Sequence, residues 1–348
     1  MLLMQNDAKD ELLVLALASA SFLTLKEKII LMNKLDSARM LALLSIKDIS
    51  SIIGRVSHSE TWNGKKAVYE AERTLCIMHR FGCAYTLYGS EDYPSLLTQI
   101  VDAPFLLFYR GNIGVLNRDC IAVVGTRRVT ADGRSAAYDF SYDACCDAKT
   151  VVSGLALGID GEAHKGSVAS CFDAHRADGK TVAVLPSGID VIVPGVHRRL
   201  AGQILESGGC LVSEYAPGVP ALPWRFVQRN RIIAGVAAAT VVIQAPPGSG
   251  ALVTADFAVE YNRDVLFHQA SFSSAAKFVA EHIRQQLEIE VSRGIKNRSK
   301  LQRCVEKYVE AGAPVIADYK DFLHCEAEPP GTRKIKTDKE SQISLFDD

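Results

Sequence analysis

Residues 121–134 read IAVVGTRRVTADGR, and this stretch decides the architecture. A short apolar run ends at Gly125, polar and basic residues follow, and a helix-compatible segment opens near Ala131. An apolar run too short for a helix, closed by glycine and followed by a helix start, reads as a strand, a turn and a helix.

Working outward, the same texture recurs from about residue 81. The runs are CAYTLYG, PFLLFYRG, CIAVVGT, TVVSGL, TVAVLPSG, CLVSEY, TVVIQAP, DVLFH and PVIA, separated mostly by helix-length segments. Strands this short and apolar on both faces belong in a mostly parallel sheet covered by helices on each side. The expected fold class is therefore α/β, a Rossmann-like doubly wound sheet, with ligands gathering at the carboxyl edge of the strands.

Residues 1–80 carry apolar positions at three- and four-residue spacing and predict a small helical N-terminal domain. Within it, SIKDISSIIGR predicts one short helix with Ser45 as N-cap and Gly54 as stop. The domain from 81 to 325 holds the sheet, interrupted by a charged helical insertion at about 274–301. Residues 326–348, rich in Lys, Glu and Asp, predict a disordered tail. The apolar run Leu12–Leu25 follows Asp7, Asp10 and Glu11 rather than a basic segment, so a buried helix is expected there instead of a signal peptide.

Bulk properties narrow the function. With 348 residues and a formal net charge of −1, any affinity for nucleic acid must come from a local basic patch. The nine cysteines are scattered, form no C-x-x-C pair and sit mostly in apolar runs, which predicts reduced thiols in a cytoplasmic protein. The eight histidines form no cluster of ligand spacing, so no metal is expected. No apolar stretch is long enough to span a membrane.

Four motifs carry candidate chemistry, each on a carboxyl edge. In the first, Gly125, Thr126, Arg127 and Arg128 occupy a strand-to-helix turn whose amides and guanidinium groups suit a phosphate. G-x-G-x-x-G is absent there, which argues against a nicotinamide or flavin cofactor. In the second, VVSGLALGIDGEAHKGSVAS (151–170), Ser153 and Gly154 mark the turn, and Gly154 and Gly158 permit close backbone approach. Asp160 and His164 share a helix face there, a spacing that serves helix support more often than catalysis.

The third motif, PWRFVQRNRIIAG (223–235), interleaves Arg225, Arg229 and Arg231 with Trp224 and Phe226, beside Asn230. Arginines hold phosphate while aromatic faces accept bases regardless of sequence, the combination that single-strand binding requires. An ion pair of Arg229 or Arg231 with Glu214 or Glu260 inside the fold is the competing reading. In the fourth, APPGSGALVTADFAVEYNRDV (245–265), Ser249 and Gly250 open a helix and offer an anion seat that lacks the Walker A ending.

These four blocks, with YGSEDYPSLLTQIVDAPFLLFYRGN (88–112), GIDVIVPGVHRRLAGQILESGGCLVSEYAPG (188–218) and YVEAGAPVIADYKDFL (308–323), resemble in order and spacing the DprA (Smf) DNA-processing family. The resemblance implies a non-catalytic homodimer that binds single-stranded DNA and helps load the RecA recombinase during natural transformation. It implies a DNA pocket at Gly125, Thr126 and Arg127, with Phe226 and the Arg229-Asn230-Arg231 turn nearby. The chain departs from the family where Pro223 replaces a basic residue that Arg225 is expected to supply. It departs also where Leu157 replaces an arginine, where Val193 and His197 replace a tyrosine and an asparagine, and where HQASF (268–272) replaces Val-Pro-Gly. The winged helix that closes many relatives is not expected after residue 325.

The tail adds Gln342-Ile343-Ser344-Leu345-Phe346, which resembles the peptide that docks bacterial proteins on the replicative sliding clamp. Leu345 and Phe346 would serve as apolar anchors and Gln342 as the hydrogen-bonding residue. Two other readings stand beside the DNA-binding one. One is a nucleotide-processing hydrolase of the lysine-decarboxylase-like Rossmann group, although Pro247–Thr254 lacks that group's carboxylate. The other is a protein-interaction adaptor with a degenerate DNA pocket.

Overall fold

The computed structural model describes residues 10–56, 62–173 and 178–327. The clamp-like residues Gln342, Leu345 and Phe346 lie outside the described residues.

Five helices come first: α1 (Glu11–Ser19), α2 (Leu25–Lys34), α3 (Ala38–Leu43), α4 (Ile46–Ile53) and α5 (Gly64–Phe81). Their ends follow from local chemistry. Thr24 and Glu27 close a reciprocal capping box on α2, and Ser45 and Asp48 do the same on α4. Gly54 ends α4 at φ +72°, a left-handed conformation that glycine adopts without strain. The apolar stripes of these helices, including Leu13, Leu17, Leu31 and Ile49, share one core with Phe105, Leu106 and Phe108. The helical module is thus seated on the first strands of the sheet.

All nine apolar runs form strands: β1 (Ala84–Leu87), β2 (Leu106–Gly111), β3 (Cys120–Gly125), β4 (Thr150–Ser153), β5 (Lys180–Val184), β6 (Cys210–Ser213), β7 (Ala239–Gln244), β8 (Asp264–His268) and β9 (Val315–Ile316). They make one sheet in the order β1-β2-β6-β5-β4-β3-β7-β8-β9. The pairings β1·β2 and β2·β6 are antiparallel, and the rest are parallel.

Helices cover both faces, as buried parallel strands demand. Alternation along β3 shows why. Ile121 and Val123 enter one core with Phe140 and Ala144 of α6 (Ala131–Cys146), Ile159 and Ala163 of α7 (Ile159–Phe172), and Tyr319 and Phe322. Ala122 and Val124 enter the opposite core with Ile232, Ile233 and Leu252. A further cluster joins β5 and β6 to Leu200 and Ile204 of α8 (Arg198–Glu206). The second face is covered by α9 (Pro223–Gly235) and α10 (Gly250–Glu260).

The inserted segment folds as α11 (Ser274–Ser292) and a short α12 (Ser299–Gln302), followed by α13 (Val305–Glu310) and α14 (Tyr319–Ala327). The last helix corrects the expected start of the tail. Glu326 and Ala327 are helical, and Glu326 is tied to the body by an ion pair with Lys149 at 3.0 Å.

Strands β3 to β6 step one way along the sheet, while β7 to β9 step the other. The direction reverses between β3 and β7, whose register breaks between Val124 and Gly125. A doubly wound sheet opens a crevice at such a reversal, beyond the carboxyl ends of the strands.

Candidate nucleic-acid interface

A cleft of about 580 Å³ occupies that crevice. Its floor is the end of β3, from Val124 to Arg128, and the loop after β7, from Pro246 to Gly250. One side is α9, through Pro223, Phe226, Arg229 and Asn230. The start of α7 contributes Ala156 and Asp160.

The turns at the floor are packed too tightly to hold any residue but glycine at key points. A Cβ on Gly158 would come within 2.2 Å of the Thr126 carbonyl, and Gly158 itself has φ +80°. A Cβ on Gly154 would come within 1.6 Å of an Arg229 guanidinium nitrogen. The small residues of the second motif therefore make room for Arg229 and for the first turn. Gly154 is not part of the cleft lining.

Arg229 is the buried cation of the site. It is 3% exposed, donates through Nη1 to the Val184 carbonyl at 2.9 Å, and its Nε has no acceptor among the described residues. Burial pulls the guanidinium down to about 10, with Asp160 opposing, so it remains charged at neutral pH. The Asp160 carboxyl is pushed up by burial against the pull of Arg229 and Arg127. Asp160 is the acidic side chain in the cleft lining, among the described residues.

Arg127 is exposed and lies with its guanidinium carbon 5.0 Å from the centre of the Phe226 ring, a cation–π pair across the mouth of the cleft. Arg128 lines the same mouth. Asn230 donates from Nδ2 to the Gly250 carbonyl at 3.1 Å and so ties α9 to the start of α10. Ser249 caps α10 by accepting from the Ala251 amide, and the space in front of Gly250 is open.

Several expected contacts have other duties. Thr126 lines the cleft, but its amide donates to the Gln244 carbonyl at 2.7 Å and its hydroxyl accepts from the Arg128 amide. Ser153 is fully buried and its hydroxyl donates to the Val123 carbonyl at 2.7 Å, which removes it from the site. Arg231 is corrected as well: it is buried and ion-paired with Glu214 and with Asp102, behind the cleft rather than in it. A carboxylate within reach wins such a guanidinium, since leaving either charge buried and unpaired is costly. Arg225, expected to supply the basic group missing at Pro223, stands beside the cleft rather than in its lining. It donates to the Pro220 carbonyl and stacks 4.9 Å from the rings of Tyr215 and Trp224, outside the cleft lining.

The helix start after Arg128 is also less open than the sequence implies. Gln244 accepts from the Thr130 amide, and Thr130 accepts from the Gly133 amide. Gln244 was invisible as a site residue because it stands at the end of an apolar strand and reaches the turn only through the β3·β7 pairing. Asp160 and His164 do not act on each other. His164 is fully buried against the Thr181 hydroxyl at 2.7 Å, and burial, with the charges of His197 and Arg229, lowers it to about 3. Ile283, Leu287, Lys296 and Lys300 of the inserted segment also line the cleft, and no local motif marked them.

Among the described residues no three His, Cys, Asp or Glu side chains are arranged to hold a metal ion, and no helix is long and apolar enough to cross a membrane.

The family model described as DNA recombination-mediator protein A matches residues 84–321. Protein Smf of Escherichia coli is 38% identical over 194 residues, which are 56% of this chain and 50% of that protein, so the chain spans about half the length of that curated relative. The X-ray structure of DprA from Streptococcus pneumoniae superposes with a TM-score of 0.62 at 26% identity, covering 91% of this chain and 98% of that one. DNA processing protein A from Helicobacter pylori, in a structure concerned with its single-stranded DNA binding mode, superposes with a TM-score of 0.52 over 70% of this chain and 95% of that one. At 20% identity, this second likeness is one of fold.

Proposed function

Since the chain belongs to the DNA recombination-mediator protein A family, the DprA/Smf family, we propose that its cleft at the β3/β7 reversal holds single-stranded DNA without acting on it chemically. The observation that carries this reading is the pairing of Arg127 with Phe226 in a cleft that also presents buried Arg229. Guanidinium groups attract the backbone, and an aromatic face beside them takes an unstacked base whatever its identity. A cleft of about 580 Å³ accepts nucleotide-sized groups.

The non-catalytic part of the reading is supported by the state of the titratable groups. His164 is fully buried and bonded to the Thr181 hydroxyl, and burial lowers it to about 3, so it is not placed to exchange protons with a ligand in the cleft. The finer reading rests on the family resemblance: a cytoplasmic homodimer that helps load RecA on incoming strands during transformation. Contact with the sliding clamp through Gln342, Leu345 and Phe346 is proposed on the sequence of the tail alone.

The test is a salt titration of binding to single- and double-stranded oligonucleotides. Single strands are expected to bind more tightly, with the logarithm of affinity falling linearly against the logarithm of salt as counterions are released. Indifference of the folded chain to single strands at low salt would overturn the proposal.

A further inference from the structure

The inserted segment was expected only to interrupt the alternation of strands and helices, yet it stands directly over the candidate site. Leu287 of α11 is buried, 6% exposed, and the position a Cβ would take on Gly248 lies 3.2 Å from its side chain. The same position lies 3.2 Å from the Lys300 carbonyl. The Gly248 amide donates to the Arg303 carbonyl at 2.9 Å, and Arg303 is fixed in turn by an ion pair to Asp256 of α10 at 2.7 Å. The glycine turn that opens α10 is therefore clamped between its own helix and the insertion. Two lysines of that insertion, Lys296 and Lys300, line the same cleft as Arg127 and Arg229.

We propose that α11 and α12 form the outer wall of the cleft and that Lys296 and Lys300 bind backbone phosphates there, converting an open rim into a slot with cations on both sides. The proposal rests on the reading of the cleft as a single-strand site and extends it to residues outside the four motifs. The two lysines start from different states. Lys296 is held by Glu290 at 2.6 Å, whereas Lys300 is exposed and has no ion pair among the described residues. A phosphate would engage Lys300 directly and would compete with Glu290 for Lys296. Ile283 and Leu287 supply the apolar backing that keeps the wall in place. A wall on this side narrows the crevice to one strand, because a duplex presents two backbones and shields its base faces.

The experiment measures binding of a fluorescein-labelled oligothymidylate by the full chain across a range of salt, in wild type, K296Q/K300Q, R298Q and R127A. Loss of two phosphate contacts is expected to reduce the slope of log affinity against log salt by about 1.4, at about 0.7 per contact on a single strand. R298Q removes a charge from the same segment outside the cleft lining, and its slope should match wild type. If wild type binds and R127A weakens binding while K296Q/K300Q keeps the wild-type slope, the wall proposal is overturned and the cleft reading stands. An equal change per charge in R298Q also overturns it, since the effect would then be general charge. Absence of binding by wild type overturns both. Arg127, Arg298 and Lys300 are exposed and Lys296 is half-buried in an exchangeable ion pair with Glu290, so circular dichroism of each variant should match wild type.

Discussion

The Arg127 guanidinium lies over the face of the Phe226 ring with 5.0 Å between its carbon and the ring centre. One residue comes from the turn after β3 and the other from the first turns of α9, ninety-nine positions later in the chain. The contact arranges a cation and a ring so that a phosphate and its neighbouring base can be met together.

Removing either partner separates these duties. Phe226→Ala is expected to weaken oligonucleotide binding by about 1–3 kcal/mol, roughly five- to 150-fold, the range for loss of one base–aromatic stack. Arg127→Ala should weaken binding to all sequences alike and flatten the salt dependence, whereas Phe226→Ala should leave the salt slope unchanged. Fluorescence anisotropy at several salt concentrations distinguishes the two.

Gly154→Ala should act on the cleft from behind. The new methyl group would stand 1.6 Å from a guanidinium nitrogen of Arg229 and force it off the Val184 carbonyl. Overpacking of this kind costs about 1–3 kcal/mol of stability. Binding should fall as well, because the buried cation of the cleft is displaced. Urea denaturation and anisotropy on the same preparation check both effects, and unchanged binding in a folded variant would refute the role given to Arg229.

Arg231 provides the contrast. Its substitution by Ala leaves the Glu214 carboxylate buried without its partner, and loss of one member of a buried pair costs about 3–5 kcal/mol. The expected readout is a large fall in melting temperature, while any folded fraction keeps the wild-type salt slope. A reduced slope with undiminished stability would return Arg231 to the DNA contacts.

A pH dependence follows from His164. Its folded-state value is lowered to about 3 from an ordinary 6.5, so between those values the unfolded chain takes up a proton that the folded chain refuses. Stability should therefore fall as pH drops below about 6.5, with His164 contributing a slope of about 1.4 kcal/mol per pH unit until about 3. Denaturant melts of wild type and His164→Gln between pH 7 and 5 measure it. The variant should lack that part of the slope; identical slopes would show that the histidine is not held neutral.

The strands were legible because each is a short apolar run closed by a turn residue, and strand identity depends mainly on that local pattern. Sheet order was not readable run by run, since burial makes the parallel strands chemically alike. Arg127, Phe226, Asn230, Ser249 and Gly250 all line the cleft, and each stands in a motif that carries its own local logic. Ser153 and Arg231 are buried away from the cleft, and Arg225 stands beside it, because a side chain's partner depends on the other elements packed beside it. For Ser153 that partner is the Val123 carbonyl, for Arg225 the Tyr215 and Trp224 rings, and for Arg231 the Glu214 carboxylate.

Composition, periodicity and turn chemistry were enough for the α/β class, the helical start with its Ser45 and Gly54 boundaries, and the edge on which the motifs collect. These features depend on neighbours within a few residues, and the chain states them directly. Which arginine faces the cleft, that Gly154 exists to admit Arg229, and that Leu287 and Lys300 close over Gly248 were settled only by folding. Those outcomes depend on distances between segments far apart in the chain, and a linear order of residues contains no such distances until the sheet and its helices have packed.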